Sequence, residues 1–230
     1  MTRLQAELQR LFVPPADGRV RAMKLEVAGP AGWPALSAAW QGVQADLDLP
    51  APAIAVNGTD AHQLWFSLAE PVGRDDALAF LAGLRRRYLA AVAPERIRIA
   101  ACASDDPELA TLPPREAAPE RWSAFLAPDL AALFSEDACL DLPPGADAQA
   151  ELLSRIASAK PQDFQRALQR LSSLPLPPAG EGRGEGSGER ESSDPRRFLL
   201  DIMNDSTVAL HLRIDAAKAL LPYSDPQRTQ

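Results

Sequence analysis

The sequence predicts an α+β fold, in which a mixed β-sheet is flanked by helices and followed by further α-helices, a disordered linker and a C-terminal helical hairpin. Segments with apolar residues at helical spacing alternate with shorter segments in which apolar and polar residues alternate. Hydrophobic residues make up 46% of the 230 residues and charged residues 24%, which is ordinary for a protein with a folded core. Up to residue 101 the order is helix, strand, helix, hairpin, helix, strand, which indicates a sheet covered by helices.

The first three elements are a helix, a strand and a second helix. Residues 2–12 place four apolar side chains on one helical face, and the two prolines that follow end a helix there. Residues 19–28 alternate apolar and charged side chains, with one slip, and predict a strand. Residues 34–47 begin with a proline, which suits the first turn of a helix, and continue with apolar residues at helical spacing.

A hairpin and the clearest helix come next. The Asn-Gly pair at 57–58 lies between apolar runs at 53–56 and 62–68, and such a pair is a strong signal for a hairpin. Residues 74–92 repeat apolar side chains at helical spacing, with aspartates at the start and arginines near the end, which matches the helix dipole. Residues 96–101 alternate again and predict a strand.

The following stretch is less regular. Residues 103–120 are rich in proline and acidic residues and predict an extended surface segment. The apolar stretch 122–134 predicts a helix that begins near Asp129. Two further helices are predicted at about 147–158 and 161–172.

These elements divide the chain into four parts. An α/β domain covers residues 1–140, and a helical extension covers 141–173. Residues 174–194 contain no aromatic and no β-branched residue, so they cannot bury enough apolar surface to become ordered and predict a disordered linker. Residues 195–230 recover apolar residues at helical spacing and predict a helical tail.

Charge and cysteine usage exclude several classes of protein. The net charge of −7 weighs against broad, sequence-independent binding of DNA, which needs many lysines and arginines. The chain has two cysteines and two histidines, too few for a structural zinc site, so we expect no metal. No phosphate-binding loop or dinucleotide-binding motif follows a predicted strand, so we expect no cofactor. Cys102 and Cys139 are expected to be free thiols, although a disulfide between them stays open.

We expect a cytoplasmic protein without a membrane contact. The N-terminal residues lack the apolar core of a signal peptide. No stretch approaches the roughly 20 apolar residues that span a bilayer.

One basic concentration stands out in this acidic chain. It consists of Arg85, Arg86 and Arg87 near the end of a predicted helix, with Arg96 and Arg98 close by in sequence. These arginines are the candidates for a nucleic-acid-binding surface. The alternative is a solvated helix end whose charges pair with surface acids. Whether the chain binds nucleic acid stays open at this point.

Residues 53–72, AIAVNGTDAHQLWFSLAEPV, carry a first resemblance to a known family. A small-residue turn at Gly58 leads into a strand with His62, Gln63 and Trp65. This segment resembles the histidine-bearing strand of the archaeo-eukaryotic primase superfamily, especially the plasmid and phage replication primases. The resemblance covers about residues 18–100. It implies a primase-like domain in which His62 belongs to the catalytic centre.

The chain departs from this family at the acidic residues. The resemblance implies two acids, one position apart, on the upstream strand, where they hold divalent metal for nucleotidyl transfer. This chain has Lys24-Leu25-Glu26 there, so one acid remains and the lysine would repel Mg²⁺. The strand at 96–101 also lacks a further acid. We therefore expect a degenerate centre, with Glu26 and His62 as the candidate catalytic residues, or else an ordinary packed histidine at position 62.

The tail carries a second resemblance, over about 30 residues. Residues 194–226 are similar to a segment of phage small terminase-like proteins. The matching positions are Phe198, Met203, Asn204, Asp205, Arg213, Asp215, Ala216, Ala217, Lys218, Pro222 and Tyr223. The resemblance implies a helical hairpin that serves assembly or contact with a protein partner. The alternative is a helical pair that docks on its own domain or on another copy of the chain.

Three hypotheses for the function follow. The preferred hypothesis is a non-catalytic accessory or interaction protein with a degenerate primase-like domain, of mobile-element origin. The first alternative is a divergent metal-dependent nucleotidyltransferase in DNA replication that uses Glu26, His62 and a further acid. The second alternative is a protein-binding α/β module unrelated to nucleic acid.

Overall fold

The computed structural model describes residues 1–173, which contain six strands and five α-helices. The strands are β1 (Val20–Ala28), β2 (Ala53–Val56), β3 (Ala61–Val72), β4 (Ile97–Cys102), β5 (Arg115–Ala118) and β6 (Arg121–Leu126). The α-helices are α1 (Arg3–Phe12), α2 (Gly32–Ala45), α3 (Arg74–Tyr88), α4 (Ala146–Ser154) and α5 (Pro161–Ser173). Short 3-10 helices lie at Pro94–Arg96, Pro107–Thr111 and Ala131–Phe134.

The strands form one sheet in the order β4-β1-β3-β2-β6-β5. Helix α2 connects β1 to β2 along the chain, and β3 lies between these two strands in the sheet. Helix α3 connects β3 to β4 in the same way, and β1 lies between them. Two interleaved units of this kind form the ferredoxin-like arrangement, here extended by the β5–β6 hairpin. The predicted α+β class is confirmed. The sheet, which we predicted to be mixed, is antiparallel in every pairing of its named strands. Within residues 1–173, an isolated bridge between Leu68 and Ala159 is parallel.

Each face of the sheet has its own core, because successive strand residues point to opposite sides. On one face Leu25, Leu64 and Phe66 pack with residues of α2, α3 and α5. On the other face Trp65 and Phe125 pack with residues of α1 and α4. The central strands are therefore covered on both sides, which explains why nearly all of β1 and most of β3 is buried.

The predicted hairpin is confirmed, and its turn has a clear local cause. The side-chain oxygen of Asn57 accepts hydrogen bonds from the backbone N–H groups of Thr59, Asp60 and Ala61, at 2.8, 2.9 and 3.0 Å. Gly58 has φ +85°, a left-handed conformation that favours glycine. Strands β2 and β3 then pair over four residues on each side.

Two predictions about residues 103–134 are wrong. The stretch predicted as a helix beginning near Asp129 contains β6 and only a 3-10 helix, at Ala131–Phe134. The apolar residues Ala124, Phe125 and Leu126 belong to a strand that pairs with β2, and they are buried there. The segment 103–120, predicted to be an extended surface segment, contains the 3-10 helix Pro107–Thr111 as well as β5. Strand β5 lies at the sheet edge and lacks apolar alternation, so periodicity does not reveal it.

The predicted helices at 147–158 and 161–172 are confirmed as α4 and α5. They lie in the same compact unit as the sheet. The backbone between them bonds to β3, because Ala159 donates to the Ser67 carbonyl at 2.8 Å and accepts from Ala69 N–H at 2.9 Å. The predicted linker at 174–194 and tail at 195–230 lie outside the described residues. Among residues 1–173, no helix has the length and apolar character needed to cross a membrane.

Candidate functional site

Lys24 and Glu26 lie side by side on β1, on the sheet face that α1 and α4 cover. They share a face because they are two positions apart on a strand. Lys24 lies across from Trp65 and Glu26 across from Gln63 in the pairing with β3. Both charged residues are only 3% exposed. Buried charges require partners, so their contacts define the chemistry of this place.

A connected set of polar contacts surrounds these two residues. The Lys24 ammonium donates a hydrogen bond to Glu108 and lies 3.2 Å from Oε2 of Glu26. Gln63 Nε2 donates to the same Glu26 oxygen at 2.7 Å. Arg98 Nη1 lies 3.5 Å from Glu26 Oε1. We call these five residues, Lys24, Glu26, Gln63, Arg98 and Glu108, the Lys24 cluster.

Trp65 joins the Lys24 cluster to the apolar core. Its indole N–H donates to Gln63 Oε1 at 2.8 Å, which orients the Gln63 amide so that its N–H₂ points to Glu26. The Lys24 ammonium also lies 5.8 Å from the centroid of the Trp65 ring, within range of a cation–π contact. The buried polar groups of Lys24, Gln63 and Trp65 thus have partners, as expected of a structural network.

The electrostatics of the Lys24 cluster are balanced. Burial tends to raise the pKa of the Glu108 carboxyl, but the hydrogen bond and charge of Lys24 outweigh it, so the pKa is lowered from its usual value. The Lys24 ammonium is shared by two carboxylates, and Arg98 supplies a second cation. The lysine that we expected to repel a metal ion is itself the cation that both carboxylates bind.

Glu108 is the residue that sequence reasoning missed. It lies in the 3-10 helix Pro107–Thr111, within the acid-rich segment that we predicted to be a surface segment. Asp105 and Asp106 are acidic residues of the same segment, and nothing in the sequence distinguishes them from Glu108. No local signal marks which of them contacts β1, because the contact joins residues 84 positions apart.

His62 lies on the other face of the sheet, among α2 and the apolar core. It pairs with Val27 of β1 and Val56 of β2, and it is 1% exposed. Neither ring nitrogen has a hydrogen-bond partner within residues 1–173. Burial lowers the pKa of His62 below 6.5, and the backbone of Ala131 partly opposes that effect without a hydrogen bond of ordinary geometry. The ring is therefore a core side chain beside Trp33, with a centroid distance of 6.1 Å.

The two candidate catalytic residues thus do not form one site. Glu26 faces α1 and the Lys24 cluster, whereas His62 faces α2. Glu26 is paired with Gln63, and His62 is paired with Val27, which is the next residue of β1. Successive side chains of a strand point to opposite faces, so the sheet itself separates Glu26 from His62.

The five candidate arginines are distributed over several environments. Arg96 donates to the carbonyls of Ala28 and Pro30, at 2.8 and 2.5 Å, and so fixes the turn between β1 and α2. Arg98 pairs with Glu26, as described. Arg87 lies 3.6 Å from a carboxylate oxygen of Asp46.

Arg85 and Arg86 are the remaining members. Within residues 1–173 they have no ion pair or side-chain hydrogen bond, and Arg86 is exposed. The sequence therefore overstates the basic surface, since three of the five arginines are engaged by other groups of the protein.

Within residues 1–173, the two cysteines and the potential metal ligands do not form a second site. Cys102 and Cys139 are both free and buried, and burial together with nearby acids raises the pKa of Cys102 to about 12. Within residues 1–173 no three His, Cys, Asp or Glu side chains are grouped as metal ligands would be.

A separate groove lies where β2 begins and β6 ends. It has a volume of about 410 Å³, and its lining is almost wholly apolar. The groove is bounded mainly by Trp40, Pro52, Ile54, Leu126, Leu152 and Ile156. It contains none of the candidate catalytic residues.

The comparisons with known proteins give no relative. No protein-family model matches the chain. Searches of the curated proteins and of the solved structures also find no match. The ferredoxin-like arrangement hosts many unrelated functions, so the topology by itself does not assign one.

Proposed function

We propose that this chain is a non-catalytic accessory protein, built on a degenerate primase-like α/β domain, that works through contact with another protein. The observation that carries the proposal is the Lys24 ammonium, which Glu26 and Glu108 both bind. The two acids on this sheet face thus have a cation that the chain supplies. Their balanced charges give the Lys24 cluster a structural role, which is to hold the covered face of the sheet together.

Metal-dependent nucleotidyl transfer would require a different arrangement of charges. Divalent metals in such reactions are held by carboxylates and neutralise the charge that develops on the phosphoryl oxygens. A metal ion at Glu26 would have to displace the Lys24 ammonium from that carboxylate. Lys24 is 3% exposed, and within residues 1–173 its acidic partners are Glu26 and Glu108. The buried ammonium would then have Glu108 as its remaining acidic partner and would lie beside a second cation, and the repulsion between the two cations opposes metal binding.

The position of His62 also supports a non-catalytic role. A general base or a phosphate ligand has to reach the reacting atoms within hydrogen-bond distance. His62 is buried on the face opposite to Glu26, so the two side chains cannot contact the same substrate in this fold. In this proposal the contact with a partner comes from the predicted helical tail, residues 195–230, and rests on its sequence pattern.

Manganese binding provides the direct test. We would titrate the full chain with Mn²⁺ and measure free Mn²⁺ by electron paramagnetic resonance, with Glu26→Gln as a matched variant. We expect no difference between the two proteins, because Glu26 is already occupied by Lys24. Binding that is present in the wild type and lost in Glu26→Gln would instead favour the nucleotidyltransferase alternative.

A second experiment addresses the partner contact. The full chain and a chain ending at Ser173 would be used side by side as immobilised baits. We expect a protein that is retained by the full chain and not by the shortened one. Equal retention by both baits would move the contact to the α/β domain and favour the protein-binding module unrelated to nucleic acid.

A further inference from the structure

Residues 103–112, here called the strap, connect β4 to the β5–β6 hairpin and lie against the Lys24 cluster. The backbone hydrogen bonds of the strap stay within it. Asp106 N–H donates to the Ala103 carbonyl at 3.0 Å, Leu109 to Asp106 at 3.1 Å and Leu112 to Leu109 at 3.2 Å. Among residues 1–173, no backbone hydrogen bond joins the strap to a strand or an α-helix. The sheet pairing of β4 ends at Cys102.

Side chains alone hold the strap in place. Glu108 binds the Lys24 ammonium, and Asp106 Oδ2 lies 3.2 Å from Nη2 of Arg74 in α3. Leu109 and Leu112 pack against the apolar core of this face, and Leu109 stays partly exposed. Ala103, the first residue of the strap, is buried in the core of the other face. Beyond Ala103, two ion pairs and two leucines at the margin of the core connect the strap to the rest of the domain.

The strap also has internal order that favours movement as a unit. Asp106 Oδ1 accepts from the Glu108 backbone N–H at 3.0 Å and caps the 3-10 helix Pro107–Thr111. Thr111 Oγ1 donates to the Glu108 carbonyl at 2.7 Å. These contacts do not involve the sheet, so they can persist when the strap separates from it.

We propose that the strap opens as a unit while the sheet stays folded, and that opening uncovers Cys102, Lys24 and Glu26. A segment with few buried apolar contacts and no backbone bonds to its support opens at a much smaller free energy than the whole domain. Cys102 ends β4 directly before the strap and is 0% exposed in the closed form. The strap therefore acts as a cover that regulates access to the charged face of the sheet.

The closed form has a consequence for any partner of that face. Asp106 and Glu108 bind Arg74 and Lys24, so a partner that contacts these cations has to displace the two acids of the strap. Such a partner binds the open form better than the closed form and shifts the population toward it. This inference does not depend on the proposed function, since an enzyme with the same strap would be covered in the same way.

Cys102 reports the opening directly. In a Cys139→Ser background, Cys102 is the one thiol of the chain, and its alkylation by N-ethylmaleimide can be followed by mass spectrometry. We expect Glu108→Gln to accelerate alkylation about five-fold, because it removes the charge that Lys24 binds. The matched control is Glu95→Gln, which changes the same charge at an exposed residue without a side-chain contact in the described part of the chain. We expect the control to leave the rate unchanged.

Two measurements separate local opening from unfolding of the whole domain. At low urea concentration, we expect the alkylation rate to be independent of urea, and the strap amides to exchange hydrogen faster in Glu108→Gln while the β1 amides do not change. The proposal is overturned if alkylation follows the urea dependence of global unfolding, or if Glu108→Gln and Glu95→Gln alkylate at the same rate as the parent protein.

Discussion

Glu26 and His62 lie on opposite faces of the central sheet, although they are on the neighbouring strands β1 and β3 and only one residue pair apart. Glu26 pairs with Gln63, and His62 pairs with Val27. A shift of one position changes the face that a side chain occupies. The two residues that the primase resemblance would combine in one centre are therefore separated by the backbone of the sheet itself.

Replacing Lys24 should destabilise the protein strongly. In Lys24→Met, Glu26 stays buried at 3% exposure with only Gln63 and the exposed Arg98 as partners. Removing one partner of a buried ion pair leaves an uncompensated charge, so we expect a loss of about 3 kcal/mol in the free energy of unfolding. Urea denaturation followed by tryptophan fluorescence measures this loss.

The charge argument can be separated from the loss of van der Waals contacts by a second variant. Lys24→Met combined with Glu26→Gln removes both charges and should recover at least half of the lost stability. Lys160→Met is the matched control, because Lys160 is exposed, and it should change stability by less than about 0.5 kcal/mol. A double variant that is no more stable than the single one would show that Lys24 contributes through its apolar stem rather than its charge.

Gly58 should not tolerate a side chain. A Cβ there would lie 2.7 Å from the backbone N of Ser123 and 2.9 Å from the backbone carbon of Trp122, and φ is +85°. Neither backbone atom can move without disturbing β6, so we expect Gly58→Ala to cost about 3 kcal/mol in thermal or urea unfolding.

Gly73 provides the comparison for this substitution. It precedes α3 with φ −64°, and nothing lies within 4 Å of its ideal Cβ. We expect Gly73→Ala to cost less than about 1 kcal/mol. Equal losses at the two positions would mean that the close approach of the hairpin turn to β6 does not constrain Gly58.

Local interactions explain which elements could be predicted from the sequence. The turn at Asn57 and the five helices depend on residues close in sequence, and there the predictions are confirmed. Strand β6 and the Glu108 contact depend on residues far apart in the chain, and periodicity carries no information about them. The Lys24-Leu25-Glu26 spacing did place two charges on one face, but it could not identify Glu108 as the acid that Lys24 binds.

His62 should make the stability of the protein dependent on pH. Its pKa is lowered in the folded protein by burial, while in the unfolded chain it is near 6.5. The unfolded state therefore binds more protons, so stability is complete above about pH 6.5 and falls as the pH decreases toward the folded pKa. In His62→Leu this dependence should be absent, and urea midpoints measured from pH 7.5 to about pH 5 would show it as a flatter curve. Parallel curves for the two proteins would contradict a neutral, buried His62.

Nucleic acid should bind weakly or not at all to the arginines that the sequence singles out. Arg96 is bound by backbone carbonyls, and Arg87 and the exposed Arg98 each lie beside a carboxylate, so within residues 1–173 Arg85 and Arg86 are the two of the five without such a partner. Two arginines on a chain with a net charge of −7 give few phosphate contacts, and affinity for DNA rises with the number of such contacts. Fluorescence anisotropy of labelled single-stranded and duplex DNA, titrated with the protein at several salt concentrations, should show no salt-sensitive rise.

If the titration does show a salt-sensitive rise in anisotropy, arginine variants identify the residues that cause it. If a salt-sensitive rise occurs and disappears in Arg85→Ala/Arg86→Ala, but not in Lys160→Met, then the end of α3 is a phosphate-binding surface. The preferred function would then change from a protein contact to a nucleic-acid contact. A rise that persists in both variants would instead point to basic residues other than Arg85 and Arg86, because neither substitution alters those residues.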